Sequence, residues 1–243
     1  MHGDPDLETS AALLDAVVAG GADMVEVGIP FSDPVADGPV IQAAAVRALE
    51  AGTRVDDCFR LLFGFRSRHA EVPVGILTYA NLLAARGRER FLADAAAAGL
   101  DSVLIDDVPT LEAEPYADAA SRAGIDLVMI AAPNTPGQTL TRVARLSSGY
   151  TYCVARAGVT GERRDLALEH PHLFSTLRSV GAPPPVLGFG ISTPAQVRQG
   201  LDAGAAGVIS GSAIVRLAVE KGADAVGKFV SKMKAATRSA VVA

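Results

Sequence analysis

Short apolar runs alternate along the chain with longer segments in which apolar residues recur at helical spacing. The runs are rich in Val, Ile and Leu, which is typical of strands buried on both faces of a parallel sheet. Because strand and helix candidates alternate, the pattern predicts an α/β fold whose parallel sheet is either open or closed into a barrel. The predicted strands are Met24–Gly28, Pro73–Leu77, Ser102–Ile105, Leu127–Ile130, Tyr150–Val154, Val186–Phe189 and Gly207–Ser210.

The segments between these runs are amphipathic, as in "SAALLDAVVAGGA", "ERFLADAAAAGL" and "PAQVRQGLDAGAA", and several end in glycine, a common helix stop. No linker or change of composition divides the chain, so we predict one domain over residues 1–243. A TIM (β/α)8 barrel needs eight strands, and seven are predicted. The turn-like Gly3-Asp4-Pro5 has no strand before it, which indicates that the missing strand is the first.

Composition narrows the class of protein. The 243 residues carry a net charge of -5 with basic residues scattered, so a nucleic-acid partner is not expected. The two cysteines fit a reducing compartment better than a disulfide scaffold. The acidic start lacks the features of a signal peptide, and no apolar run approaches the ~20 residues of a membrane span. We therefore expect a soluble, cytoplasmic protein, and the four histidines form no metal-ligand cluster.

Glu26 is a carboxylate inside an apolar strand. Side chains alternate along a strand, so Val25 and Val27 would pack on helices while Glu26 points into a barrel near its mouth. Burial raises the pKa of a carboxyl, which suits a general acid–base group. The alternative is a structural glutamate satisfied by a backbone donor or a basic partner.

The loop "PFSDPVADG" behind this strand offers two more carboxylates, Asp33 and Asp37, in a backbone stiffened by prolines. Loops that follow barrel strands carry the catalytic residues of barrel enzymes. Asp37 is therefore a second candidate, whereas Asp33 reads more simply as a turn or capping residue.

Two glycine-rich turns, "GFGIST" and "SGSAIV", follow the last two strands. Glycine allows backbone N–H groups to approach an anion, and a helix N-terminus adds further donors. We assign Gly190, Gly211 and Ser212 to a phosphate site, the alternative being ordinary tight turns. Three arginines could add positive charge or could simply be solvated: Arg156, Arg163 and Arg164.

Aromatic and aliphatic residues at strand ends complete the candidate site. Tyr152 shares a strand face with Tyr150 and, if that face is interior, can reach toward Glu26 or a substrate; a core tyrosine is the alternative. An apolar slot for a flat heterocycle could be formed by Leu77, Tyr79, Leu104, Ile130 and Phe189, although residues of this type are often only core.

The run "VEVGIPFSDPVADGP" at 25–39 resembles the signature of the tryptophan synthase alpha subunits. Further matches follow in the family's order: "TYANLL" at 78–83, "DSVLIDDVP" at 101–109, "GYTYCVARAGVTG" at 149–161, "GFGIS" at 188–192 and "GVISGSAIV" at 207–215. The resemblance extends from about Gly3 to the C-terminus, and a signature of this length is highly specific.

The resemblance implies a lyase that cleaves indole-3-glycerol phosphate to indole and glyceraldehyde 3-phosphate. Glu26 would move the protons and Asp37 would accept the indole N–H, with Thr160 at the substrate and Gly161 as a further phosphate contact. The resemblance also implies no metal or organic cofactor in this chain, since pyridoxal phosphate belongs to the beta partner of an expected α2β2 assembly.

The family has a helix and a first strand ahead of the Gly3-Asp4-Pro5 turn. Their absence would reflect a misplaced start, a gap filled by a partner or by self-association, or a decayed chain. Three other functions stay open: a non-catalytic regulatory subunit, a stand-alone indole-releasing lyase, and another phosphate-binding barrel such as a sugar-phosphate isomerase. The isomerase would need a second phosphate turn, which the sequence does not show.

Overall fold

The computed structural model describes residues 3–154, 170–188 and 190–238. All seven predicted strands are present in this part of the chain. They are β1 Val25–Gly28, β2 Val74–Thr78, β3 Ser102–Ile105, β4 Asp126–Ala131, β5 Thr151–Val154, β6 Pro185–Gly188 and β7 Gly207–Val208. The helices are α1 Leu7–Ala19, α2 Pro39–Glu50, α3 Val55–Arg68, α4 Ala80–Arg86, α5 Arg88–Ala97, α6 Glu114–Ala123, α7 Gly137–Leu146, α8 His170–Ser179, α9 Pro194–Asp202 and α10 Ser212–Ala235, with a 3₁₀ turn at Thr110–Glu112.

The strands form one sheet in chain order from β1 to β7, and every neighbouring pair is parallel. The sheet curls into an incomplete barrel, which confirms the predicted TIM-type architecture. Within the described residues, no strand pairs with the outer edge of β1 or of β7.

Residue alternation along the strands separates two apolar layers. Val25 and Val27 of β1 pack with Ile76 of β2 in the layer between sheet and helices. The opposite face contributes a separate cluster inside the barrel, made of Leu104, Val128, Tyr150, Tyr152 and Val154, with Met24, Leu77, Ile130 and Ile209 against it. Glu26, between Val25 and Val27, therefore belongs to the inner face, as the alternation predicts.

The first and last helices pack against each other beside the open edges of the sheet. α1 begins at the N-cap Asp6, whose Oδ1 accepts from the amide of Thr9 at 2.7 Å. Its end at Gly20 meets α10 so closely that an added Cβ would lie 2.7 Å from the carbonyl oxygen of Gly227. Gly20 has a right-handed φ of -70°, so contact with α10, rather than a left-handed turn, is what requires glycine here.

A search of the described helices finds none that combines the length and apolar character needed to cross a membrane.

Candidate functional site

Glu26 is held on the inner face of β1 by a tyrosine of β5. The hydroxyl of Tyr150 donates a hydrogen bond to Glu26 Oε1 at 2.5 Å. Burial raises the pKa of Glu26 to about 7, and the hydrogen bond from Tyr150 opposes part of this rise because it stabilises the carboxylate. Glu26 therefore populates both protonation states near neutral pH, as a proton-transfer group requires.

The hydroxyl that meets Glu26 is that of Tyr150, whereas sequence analysis gave this reach to Tyr152. Both tyrosines lie inside the barrel, which was the condition set for that reach. Tyr152 instead leans toward β6, where a Cβ added at Gly188 would lie 2.2 Å from its hydroxyl oxygen. The missing side chain at Gly188 thus makes the room that Tyr152 occupies.

Asp37 lies in the loop between β1 and α2 and is only 4% exposed. Its Oδ2 accepts a hydrogen bond from the Tyr79 hydroxyl at 2.9 Å, and that hydroxyl oxygen accepts from the amide of Ala36 at 3.2 Å. Burial raises the pKa of Asp37, and the bond from Tyr79 opposes the rise. Tyr79, predicted only as a wall of the slot, therefore also fixes the orientation of this carboxylate.

Asp33, in the same loop, is exposed. Its Oδ2 accepts from the Ser32 hydroxyl at 2.6 Å, and its carbonyl oxygen accepts from the amide of Val35 at 2.9 Å. These local contacts agree with the turn role that the sequence favoured.

One cavity of about 740 Å³ brings most of the described candidates together. It runs from the interior of the barrel to the edge between β1 and β7, where α1 and α10 also line it. Its lining includes both carboxylates, one slot residue, the strand tyrosine and the three described phosphate candidates: Glu26, Asp37, Leu77, Tyr152, Gly190, Gly211 and Ser212.

The phosphate end of this cavity is built from two adjacent turns. Gly190 has a φ of 86°, a conformation that favours glycine. Gly211 is the N-cap of α10, with no atom within 4 Å of the position of a Cβ, and Ser212 is the first residue of the helix. The hydroxyl of Ser210 donates to the carbonyl oxygen of Ile191 at 2.7 Å and joins the turns. Open N–H groups at a helix start suit an anion.

The apolar slot is partly visible. Leu77, Leu104 and Ile130 lie together on the inner face of β2, β3 and β4. The Tyr79 ring is buried and stacks on Phe31, with the ring centroids 5.1 Å apart. The other predicted contacts lie outside the described residues: Arg156, Thr160, Gly161, Arg163, Arg164 and Phe189.

Asp106 is a partly buried carboxyl that sequence analysis did not single out, and it is not among the residues that line the cavity. It follows Leu104 on the inward-facing positions of β3, immediately after the strand ends. Burial and the negative charges of Asp37 and Glu26 raise the pKa of Asp106 to about 8. The available signal was the alternation Ser102, Leu104, Asp106, which continues the inner face one residue beyond the strand.

The described residues contain no group of three or more His, Cys, Asp or Glu side chains placed to hold a metal ion. What they offer is proton-transfer chemistry at carboxyls of raised pKa, in the same cavity as apolar side chains and backbone donors suited to an anion.

The chain matches the protein family described as tryptophan synthase alpha chain over residues 1–241. It is 52% identical over 243 residues to the tryptophan synthase alpha chain of Aeromonas salmonicida, covering 98% of this chain and 91% of that relative. Over 242 residues it is 50% identical to the alpha chain of Shewanella amazonensis, covering 97% and 91%.

Solved structures agree with these sequence relatives. A structure of the tryptophan synthase α2β2 complex of Pyrococcus furiosus superposes with a TM-score of 0.88 at 35% identity, covering 96% of this chain and 94% of that chain. A structure of Mycobacterium tuberculosis tryptophan synthase superposes with a TM-score of 0.88 at 32% identity, covering 97% and 89%.

Proposed function

The chain belongs to the tryptophan synthase alpha chain family, and on this premise we propose that it cleaves indole-3-glycerol phosphate to indole and glyceraldehyde 3-phosphate. The observation that carries this proposal is the shared cavity. Glu26 and Asp37 line the same space as the anion-binding turns at Gly190 and Gly211.

Glu26 is the proposed proton-transfer group. Indole leaves poorly as a carbanion, so ring carbon C3 must first gain a proton. The bond between C3 and the glycerol carbon then breaks and its electrons return to the ring. The hydroxyl on that glycerol carbon loses its proton and becomes the aldehyde. One carboxyl with a pKa of about 7 can both give the first proton and take the second.

Asp37 is the proposed acceptor for the ring N–H, and it stabilises the positive charge that develops when C3 is protonated. The hydrogen bond from Tyr79 fixes its orientation before substrate arrives. Tyr152 would bond the substrate from β5, and Leu77, Leu104 and Ile130 would contact the ring. A phosphate held at Gly190, Gly211 and Ser212 supplies binding energy away from the reacting bond.

We assign the chain as the alpha subunit of an α2β2 tryptophan synthase in the cytoplasm, with no cofactor of its own and pyridoxal phosphate in the beta subunit. Two exposed apolar side chains support a protein partner near the ends of β1 and β3. Val35 is 72% exposed in the loop before α2, and Leu111 is 74% exposed in the 3₁₀ turn. Large apolar side chains exposed in the loops that follow two strands would be removed from water on binding a partner.

The substitution Glu26→Gln tests the activity. It keeps the size of the side chain but removes the proton-transfer group, so indole release should fall at least about 10³-fold. The measurement is indole release from indole-3-glycerol phosphate, with circular dichroism to confirm folding. Glu50→Gln, on the exposed end of α2, is the matched control. Near-normal turnover by the Glu26 variant would reject the proposed mechanism.

The same assay, run with and without a beta subunit, separates the alternatives. A stand-alone lyase releases indole at full rate without the partner. A regulatory alpha-like subunit releases none under either condition but changes the turnover of the partner. An alpha subunit of the synthase is slow alone and accelerates in the complex.

A further inference from the structure

Tyr79 lies immediately after β2 and is only 2% exposed. Its hydroxyl has two partners in the loop after β1. The amide of Ala36 can only donate, so the hydroxyl oxygen accepts this bond at 3.2 Å. The single hydroxyl hydrogen is therefore left for Asp37, whose Oδ2 accepts it at 2.9 Å. The donors and acceptors present thus fix the direction of the bond between Tyr79 and Asp37.

The ring and the backbone of Tyr79 are held as well. The ring stacks on Phe31, with the ring centroids 5.1 Å apart and the planes inclined by 29°. The next residue, Ala80, donates its amide to Asp107 Oδ1 at 2.7 Å, which anchors the chain where α4 begins. The hydroxyl therefore has little freedom to leave Asp37.

Asp37 is fixed at its backbone too. Its amide donates to the carbonyl oxygen of Pro34 at 3.0 Å, and its own carbonyl oxygen accepts from Gln42 Nε2 at 2.8 Å. Because Tyr79 engages Oδ2, the carboxylate oxygen left for a ligand is Oδ1, and no described residue supplies Oδ1 with a donor. Asp37 lines the cavity and Tyr79 does not, so Tyr79 influences a ligand through Asp37.

The remaining oxygen of Asp37 makes the ring edge of a ligand a point of selection. Asp37 is only 4% exposed, so bulk water has little access to it. A ligand with a donor at this edge satisfies the oxygen, whereas a ligand of the same shape without a donor leaves it unpaired, and an unpaired buried acceptor is costly. Sites built to bond a substrate N–H therefore reject isosteres that lack it. A carboxylate that was free to turn away would impose this penalty less strictly.

We propose that Tyr79 is a positioning residue that makes this site select phosphorylated ligands whose ring carries an N–H, because its hydroxyl holds one oxygen of Asp37 and leaves the other for the ring. The inference rests on the proposed function. It adds to that function the side chain that enforces the choice of ring.

The test compares two ligands, the propyl phosphates of indole and of benzofuran, each linked through ring carbon C3. Both lack the hydroxyl that must lose its proton during cleavage, so binding is measured at equilibrium. The rings have nearly the same shape, but an oxygen replaces the N–H in benzofuran. Calorimetry at neutral pH gives the two dissociation constants. The wild-type protein should bind the indole ligand at least about tenfold more tightly.

Tyr79→Phe removes the hydroxyl and keeps the ring that stacks on Phe31. The ratio of the two dissociation constants should then fall to about threefold or less. General damage to the fold would weaken both ligands alike and leave this ratio unchanged, so the ratio reports positioning. Tyr116→Phe, on α6 under the guanidinium of Arg88, is the matched control and should keep the wild-type ratio.

Circular dichroism checks that each variant folds. If Tyr79→Phe does not fold, Phe31→Leu serves in its place, because it keeps the hydroxyl but removes the ring that packs on Tyr79. That variant should also lower the ratio, and an unchanged ratio would count against the role of Tyr79.

The outcomes separate this inference from the proposed function. An unchanged ratio in the Tyr79 variant, or equal binding of both ligands by the wild-type protein, would overturn the role of Tyr79 and leave the lyase proposal to the Glu26→Gln assay. If the wild-type protein binds neither ligand, the proposed function fails, and the role of Tyr79 fails with it.

Discussion

The hydrogen bond between Tyr150 and Glu26 sets the acidity of the proposed proton-transfer group. Burial and this bond act on the Glu26 pKa in opposite directions, and burial is the larger effect. Tyr150→Phe removes the donor and keeps the ring in the inner cluster. The Glu26 pKa should then rise above about 7, because the carboxylate form loses a hydrogen bond that stabilises it.

The pH dependence of kcat/KM between pH 5.5 and pH 9 measures this change. In the Tyr150→Phe enzyme, the limb that reports Glu26 should move to higher pH by about one unit, the order expected for a hydrogen bond to a charged group. Tyr116→Phe is the matched control, because Tyr116 lies on α6 outside the barrel under the guanidinium of Arg88. An unchanged midpoint in the Tyr150 variant would show that this bond does not control Glu26.

At the level of single residues, the sequence predicted the strand face on which a side chain lies. It did not predict which partner that side chain contacts. Alternation correctly places Glu26 inside the barrel and puts Tyr150 and Tyr152 on one shared strand face, which the structure shows to be the inner one. Which tyrosine meets Glu26 depends on the stagger between strands and on the room beside Gly188, and neither is written in the period of the pattern. Asp107 was not singled out from sequence either, although its Oδ1 accepts from the amide of Ala80 at the start of α4 at 2.7 Å.

Among the secondary-structure elements, existence was predicted better than extent. β7 was expected over Gly207–Ser210, and it is assigned to Gly207–Val208 alone. The amide of Ile209 still bonds the carbonyl oxygen of Leu187 at 2.8 Å, and the Ser210 side chain then turns to Ile191. A polar side chain that bonds the neighbouring loop ends the strand, and the apolar pattern alone does not show this.

The crossing of α1 and α10 gives a prediction at the same scale. In Gly20→Ala, the new Cβ would lie 2.7 Å from the carbonyl oxygen of Gly227 and 2.8 Å from Val230 Cβ. The backbone conformation of Gly20 suits alanine, so the cost is steric. We expect the free energy of unfolding in urea to fall by about 1–3 kcal/mol.

A second glycine provides the comparison. Gly137 begins α7, and a Cβ there would meet nothing within 4 Å. Gly137→Ala should change the free energy of unfolding by less than about 0.5 kcal/mol. Equal stability of the Gly20 and Gly137 variants would mean that α1 can shift relative to α10 at little cost.

At the scale of the whole molecule, the buried carboxyls of raised pKa make the stability of the folded protein depend on pH. A carboxyl whose pKa is raised by folding binds its proton more tightly in the folded state, so stability falls as the pH rises from the unfolded to the folded pKa. For Glu26 this window runs from 4.5 to about 7, and for Asp106 from 3.8 to about 8. The wild-type protein should therefore be less stable at pH 8.5 than at pH 5.5.

Urea unfolding at these two pH values measures the difference. Glu26→Gln removes one titrating group, so the loss of stability between pH 5.5 and pH 8.5 should shrink by about 2 kcal/mol. Glu50→Gln should leave it as in the wild type. An equally steep loss in the Glu26 variant would mean that folding does not perturb this carboxyl.

For the molecule as a whole, the parallel α/β barrel and its single row of strands follow from the sequence pattern, and the family follows from the quoted motifs. The shape of the cavity does not. It depends on how far the curled sheet opens between β1 and β7 and on where α1 and α10 close over that edge, which are properties of packing between elements distant in the chain.

The contact between Tyr79 and the loop of Asp37 has a consequence for the thermodynamics of ligand capture. One hydroxyl engages both the Ala36 amide and the Asp37 carboxylate, so the loops after β1 and β2 are already tied together without a ligand. Binding of a ligand at this side of the barrel therefore restricts few additional torsion angles of the protein, so little conformational entropy is lost there. The carboxylate that we propose as the acceptor of the ring N–H is therefore oriented before the encounter.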